Sequence, residues 1–228
     1  MFYEERECEV VETEGFGKFL VRVFAWMFLG VFMSASAAFI VTNLLPIRAV
    51  VGVVIGSVVV QIIVAIVIAV VKLNKISYGK LLGLFSIYSI STGAALTLIQ
   101  YKYSLANIAI SFLAAAVFFG VMAFYGATTK KDLTSVGAVS VVTLIAIIAV
   151  TVINIFLKFG WLNLVLSYIS VAVFLALTAY DVKRLKDIYI DNNGVVSDKI
   201  VLWGALDLYL EFVNLFIRIL EILGKSEK

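Results

Sequence analysis

Seven apolar stretches, each about as long as a helix that crosses roughly 30 Å of hydrocarbon, constrain this chain more than any other feature. They run Phe19 to Thr42, Val50 to Val71, Leu81 to Gln100, Leu105 to Phe124, Val136 to Leu157, Trp161 to Tyr180 and Ile200 to Ile222. Asn43 and Pro46, the polar patch Thr128 to Thr134, and a polar connector from Asp181 to Lys199 with the turn-like Asn192-Asn193-Gly194 punctuate them. Soluble domains are about half apolar, whereas this chain is 63% hydrophobic and 14% charged. The expectation is an all-α integral membrane protein: an acidic tail over 1–18, one seven-helix domain over 19–224, and a short tail over 225–228. Short connections imply that neighbouring helices pack antiparallel as one bundle.

Basic residues near the span ends orient the bundle. With the N-terminus cytosolic, Arg6, Lys18, Arg22, Lys72, Lys75, Lys80, Lys130, Lys131, Lys183, Arg184, Lys186 and Lys199 fall inside, twelve of the 18 Lys and Arg residues. Arg48, Lys102, Lys158, Arg218, Lys225 and Lys228 fall outside. The N-terminal block is rich in Glu and lacks the basic start of a signal peptide. A net charge of +3 without a basic run gives no reason to expect nucleic acid as a partner. There is no histidine, so histidine metal sites, proton relays and triads are excluded, and the one cysteine, Cys8, cannot form an internal disulfide. Small residues, among them Gly52 and Gly56 in GxxxG spacing and Ser34 to Ala38, read as helix-packing positions.

The last stretch differs from the other six. Asp207, Glu211, Asn214, Arg218 and Glu221 step by four, three, four and three, which places them within an arc of roughly 80° on a helix. Fourteen Leu, Ile, Phe and Val residues there supply about −4 to −8 kcal/mol of insertion energy, and Asp207 with Glu211 oppose it by about +5 to +7 kcal/mol. The segment is marginal alone, so its charged face must turn toward other helices or a water-filled path. Arg218 can pair locally with Glu221 or bond Asn214.

Between Gly15 and Tyr180 the sole acidic residue is Asp132, in a loop; the acids within membrane reach are otherwise at the C-terminal end. Asp181 closes the sixth stretch and Asp207 lies in the seventh, on the order of 12 Å from its inner end. Two consecutive antiparallel helices can bring these carboxylates together near the inner mouth. Carboxylates sharing a site do not easily both ionise, so such a pair can hold one proton, sense pH near neutrality and repel on losing it. Hard oxygen ligands of this kind also suit Ca²⁺, making Asp181 and Asp207 a candidate calcium site.

Three places carry a family resemblance: Tyr125-Gly126 followed by Thr128 to Leu133, Thr178-Ala179-Tyr180-Asp181, and Ala205-Leu206-Asp207-Leu208-Tyr209-Leu210-Glu211-Phe212-Val213-Asn214-Leu215-Phe216. With segment number and order, they resemble the transmembrane Bax inhibitor motif family, including its bacterial members. The resemblance implies seven helices with the last central and surrounded by the other six. It also implies a pH-sensitive calcium leak channel, with Ca²⁺ as the transported ion and no tightly bound cofactor; the short loops and compact size point to a prokaryotic plasma membrane. In that picture the aspartates matching Asp181 and Asp207 hydrogen-bond each other as pH sensor and gate. Glu211, Asn214 and Arg218 line or support the path. An arginine ending the second helix latches the pair; here that helix ends Val71-Lys72-Leu73-Asn74-Lys75, so Lys72 would supply the charge without the two-pronged geometry.

Other readings compete with transport. Tyr180-Asp181 and Gly204-Ala205-Leu206-Asp207 look like intramembrane aspartyl protease motifs. Leu206 stands where that enzyme needs glycine, and the lone proline, Pro46, excludes a Pro-Ala-Leu motif. The expectation is therefore a non-enzyme. A retinal receptor would need a lysine deep in the last helix, and none is there. The principal alternative is a non-transporting regulator that binds another membrane protein.

Overall fold

The computed structural model describes residues 15–70 and 76–224. The described elements are the helices α1 (Phe16–Leu44), α2 (Ile47–Val70), α3 (Tyr78–Leu96), α4 (Ile99–Lys102), α5 (Leu105–Thr128), α6 (Thr134–Leu157), α7 (Gly160–Asp191) and α8 (Asp198–Leu223). With α3 and α4 forming one stretch, seven spans are long and apolar enough to cross a membrane. A helix pairs its own backbone polar groups, the condition hydrocarbon imposes on a spanning segment.

Local chemistry sets the ends. The Ser104 hydroxyl accepts from the Asn107 N–H at 3.2 Å to start α5. Lys158 ends α6 in the left-handed region at φ 55°, and the Asn154 amide holds that turn by accepting from the Phe159 N–H at 3.0 Å and donating to Asn163 at 2.7 Å. Asp132 accepts from the Thr134 hydroxyl at 2.6 Å and N–H at 2.8 Å in the loop before α6, which holds its carboxyl below the usual range. At the other end of α7, Asn193 (φ 52°) and Gly194 (φ 81°) reverse the chain toward α8.

The structure corrects the end of the sixth span and the packing role of two glycines. The sixth span does not stop at Tyr180: α7 continues to Asp191, because Val182 and Leu185 are buried and Lys183 pairs with Asp187 one turn on. The third span keeps its expected extent but reaches Lys102 through a turn at Thr97 and Leu98, where the Thr97 hydroxyl bonds back to Gly93. Gly52 and Gly56 do not pack within the bundle; a Cβ built on either meets nothing within 4 Å. The close approaches lie elsewhere. A Cβ on Gly93 would sit 2.0 Å from the Ser34 carbonyl oxygen, and one on Gly126 would sit 2.3 Å from that of Ala179. These glycines seat α3 on α1 and α5 on α7.

The surround of α8 is also narrower than six helices. α1, α5 and α7 pack broadly on it and α3 touches it along a narrower strip, whereas α2 lies chiefly on α3, and α6 on α7. The Val- and Ile-rich circumference of α2 suits lipid on most faces and so needs no place at the centre. Around α8 the core is aromatic: Phe212 meets Phe119 edge-on at 5.6 Å, and Tyr209 meets Phe85 at 6.0 Å and Tyr88 at 6.3 Å.

Candidate functional site

α7 and α8 run antiparallel, and their facing residues step in opposite directions. Leu185 faces Gly204, where a Cβ would lie 2.6 Å from a Leu185 methyl, so glycine is what allows this approach. One turn further, Asp181 and Arg184 meet Asp207 and Glu211. At the far end the Ser167 hydroxyl donates to Glu221 at 2.7 Å. Extension of α7 past Tyr180 is what delivers Arg184 to this face.

Arg184 is the centre of the cluster. Its Nη1 lies 2.9 Å from Asp181 Oδ1 and its Nη2 donates to Asp207 Oδ2 at 2.6 Å. The Asp181 contact is close as an ion pair yet poorly aligned as a hydrogen bond, a consequence of reaching back one turn along the same helix. The Tyr180 ring, 5.7 Å from the guanidinium, covers one side. Asp181 is buried, and the Asp207 side chain keeps 24% of its surface exposed. Glu211, also buried, adds a third carboxylate against Asp181 and beside Thr178, and its Oε2 has no hydrogen-bond partner among the described residues. Three carboxylates facing one guanidinium carry two uncompensated negative charges when fully ionised. A site withdrawn from water relieves such an excess by binding protons or a cation.

Asp181 and Asp207 are therefore brought together, but through a bridge; the direct hydrogen bond implied by the resemblance gives way to the Arg184 fork. The candidate calcium ligands are the same oxygens that Arg184 engages. Among the described residues, no group of three His, Cys, Asp or Glu is arranged to hold a metal ion. Lys72, the candidate latch, lies outside the described residues. Asn214 donates to the Leu210 carbonyl at 2.7 Å rather than joining Arg218. Arg218 pairs with Glu221 at 2.9 Å at the opposite end of α8, beside a polar cavity of about 340 Å³ that Lys102 and Asn163 also line. The stripe thus splits into an acidic cluster, a middle amide and a distal ion pair.

The sequence alone places Arg184 only among the basic residues of the inner side. Its i,i+3 spacing from Asp181, with Val182 and Leu185 continuing the apolar period, was the available signal. Further lysines serve the same end of the bundle: Lys186 donates to the Ala127 carbonyl at 2.7 Å, at the C-terminus of α5, and Lys199 to that of Ile76 at 3.2 Å. Arg22 pairs with Asp198 and ties the start of α1 to that of α8.

Sequence similarity to known proteins extends along nearly the whole chain. A family profile described as inhibitor of apoptosis-promoting Bax1 matches residues 17–228. The inner membrane protein YbhL of Escherichia coli (strain K12) is 35% identical over 216 residues, 92% of each chain. An uncharacterised protein of Borreliella burgdorferi is 34% identical over 214 residues, 91% of this chain and 92% of its own. Protein RP147 of Rickettsia prowazekii is 37% identical over 142 residues, covering 62% and 60%.

Proposed function

Because the chain belongs to the Bax inhibitor-1 family of integral, multi-pass membrane proteins, we propose that it is a pH-sensitive cation leak channel, passing Ca²⁺, gated by the carboxylates around Arg184. The observation that carries the reading is the Arg184 bridge between Asp181 and Asp207, with Glu211 against it, inside helices that otherwise suit hydrocarbon. Ionisable groups in such a place are expensive, and function is the usual reason for keeping them.

The mechanism follows from charge. While the carboxylates hold protons, hydrogen bonds and the guanidinium tie α7 to α8 and the path is shut. As protons leave, the remaining negative charges outnumber the one cation, the acids repel, and the cluster attracts a cation from the water at its mouth. With the N-terminus cytosolic, that mouth is the cytosolic one and Ca²⁺ is the cargo. Arg184 takes the latching role, because its fork reaches both aspartates at once.

The decisive measurement is Ca²⁺ flux into liposomes holding only this protein, followed across about pH 6 to 8. Flux that rises with pH is expected, with Asp181→Asn and Asp207→Asn each abolishing the same transition. Folded wild type that passes no ion at any pH overturns transport and leaves the regulator reading standing. A single mutant that titrates like wild type removes the shared gate.

A further inference from the structure

α2 offers lipid almost nothing but Val, Ile and Ala, yet near its middle it carries Gln61. An amide in hydrocarbon is costly unless its hydrogen-bonding groups are satisfied. The Gln61 amide nitrogen is buried and has no hydrogen-bond partner among the described residues. It lines a partly open cavity of about 180 Å³ between α2, α3 and α8, where Tyr88, Thr92, Tyr209 and Asn214 add further polar groups. Space of this size accommodates several waters at roughly 30 Å³ each.

The chamber is in line with the acidic cluster. Asn214 follows Asp207 by seven residues, two helical turns, so both lie on one face of α8 about 10 Å apart along its axis. Leu210, which lines the chamber, stands between them. The Asn214 amide donates to the Leu210 carbonyl, which leaves its oxygen to accept. Thr92 likewise donates its hydroxyl to the Tyr88 carbonyl at 2.9 Å, leaving lone pairs on its oxygen.

We propose that this chamber is a hydrated mid-membrane relay, in which Gln61 and Asn214 carry a partly hydrated cation between the Asp207 cluster and the opposite face. All five polar side chains are uncharged, which suits relay better than capture: conduction needs a site attractive enough to enter and weak enough to leave. Carboxylates would hold Ca²⁺ as a ligand cage, whereas neutral oxygens replace only part of its water. The hydration of the chamber stands on its own geometry; its role in conduction rests on the function proposed above.

Two measurements test it in the full-length protein in liposomes. In a Cys8→Ser background, Gln61→Cys is to react with a small water-soluble thiol reagent at least about tenfold faster than Ile62→Cys, its lipid-exposed neighbour. Equal, slow reaction of the two overturns the hydrated chamber. In the flux assay, Gln61→Leu is to lower the Ca²⁺ rate about tenfold without moving its pH dependence, because the chamber wall loses one of the polar groups that hold its water against hydrocarbon. An unchanged rate in Gln61→Leu, with wild type conducting, overturns the relay and spares the channel. A silent wild type overturns the channel and with it the relay, and the labelling result then decides whether the chamber holds water.

Discussion

α2 and α8 occupy opposite extremes of the same bundle. In the apolar window of α8, 61% of residues are buried inside the protein; in that of α2 the share is 6%. In water the greasier helix would take the centre. Here the order is reversed, because lipid is as apolar as valine and draws no penalty for touching it, while Asp207, Glu211 and Arg218 must be kept from it. Polarity, not hydrophobicity, decides which helix is buried. Gln61 is the exception on α2 that obeys the same rule, since it lies on the side that meets α3 and α8.

The largest test of this contrast uses glycine. Gly93→Leu forces α3 off the Ser34 backbone, and a loss above about 4 kcal/mol, seen as little recoverable folded protein, is expected. Gly56→Leu on α2 meets open space and should fall within about 0.5 kcal/mol of wild type. Equal damage from both would mean that α2 packs against protein on that face.

Next comes side-chain packing. Phe212→Ala, at 2% exposure and against the Phe119 ring, should cost about 3–5 kcal/mol in a reversible detergent-unfolding assay. Ile63→Ala on α2, 55% exposed, leaves lipid to close the gap and should stay under about 1 kcal/mol. Comparable losses would undo the claim that α8 carries the core.

Charge gives a smaller, pH-dependent effect. Arg184→Gln removes the counter-charge from Asp181, Asp207 and Glu211. Its melting temperature should fall below that of wild type by several degrees, and by more at higher pH, where more carboxylates are ionised and in need of it. A deficit that shrinks as pH rises would speak against the bridge. The smallest effect is at Asp132, whose carboxyl is held below its usual range by the Thr134 hydroxyl and N–H. Its contribution is present above the ordinary aspartate value of about 3.9 and is lost as pH falls through the lowered one. The melting difference between wild type and Asp132→Asn should therefore vanish in strong acid, and a difference that persists there would assign the effect to something other than charge.

Much of this was legible in the residues. Seven long apolar runs bounded by Pro46, Lys158 and Asn192-Asn193-Gly194 became seven spans, because hydrocarbon leaves a spanning chain few alternatives. The approach of Asp181 to Asp207 followed from consecutive antiparallel helices. What escaped was the continuation of α7, where Lys183, Arg184, Lys186 and Asp187 dilute the apolar signal and helix is read as connector. With it escaped Arg184, whose role depends on where the next turn of helix points. Gly52 and Gly56 misled in the opposite sense, since spacing alone does not say whether a partner helix is there.

The Arg184 bridge also bears on how the protein is made. α7 and α8 are consecutive, so they leave the ribosome as one hairpin, with the guanidinium on the first helix and the Asp207 carboxylate on the second. A translocon presented with α8 alone would meet a segment near the insertion threshold; presented with the hairpin, it meets one of the carboxylates of α8, Asp207, already paired with a cation at a facing position. On this physical ground, Arg184→Gln is expected to lower the yield of inserted protein as well as the stability of what is inserted.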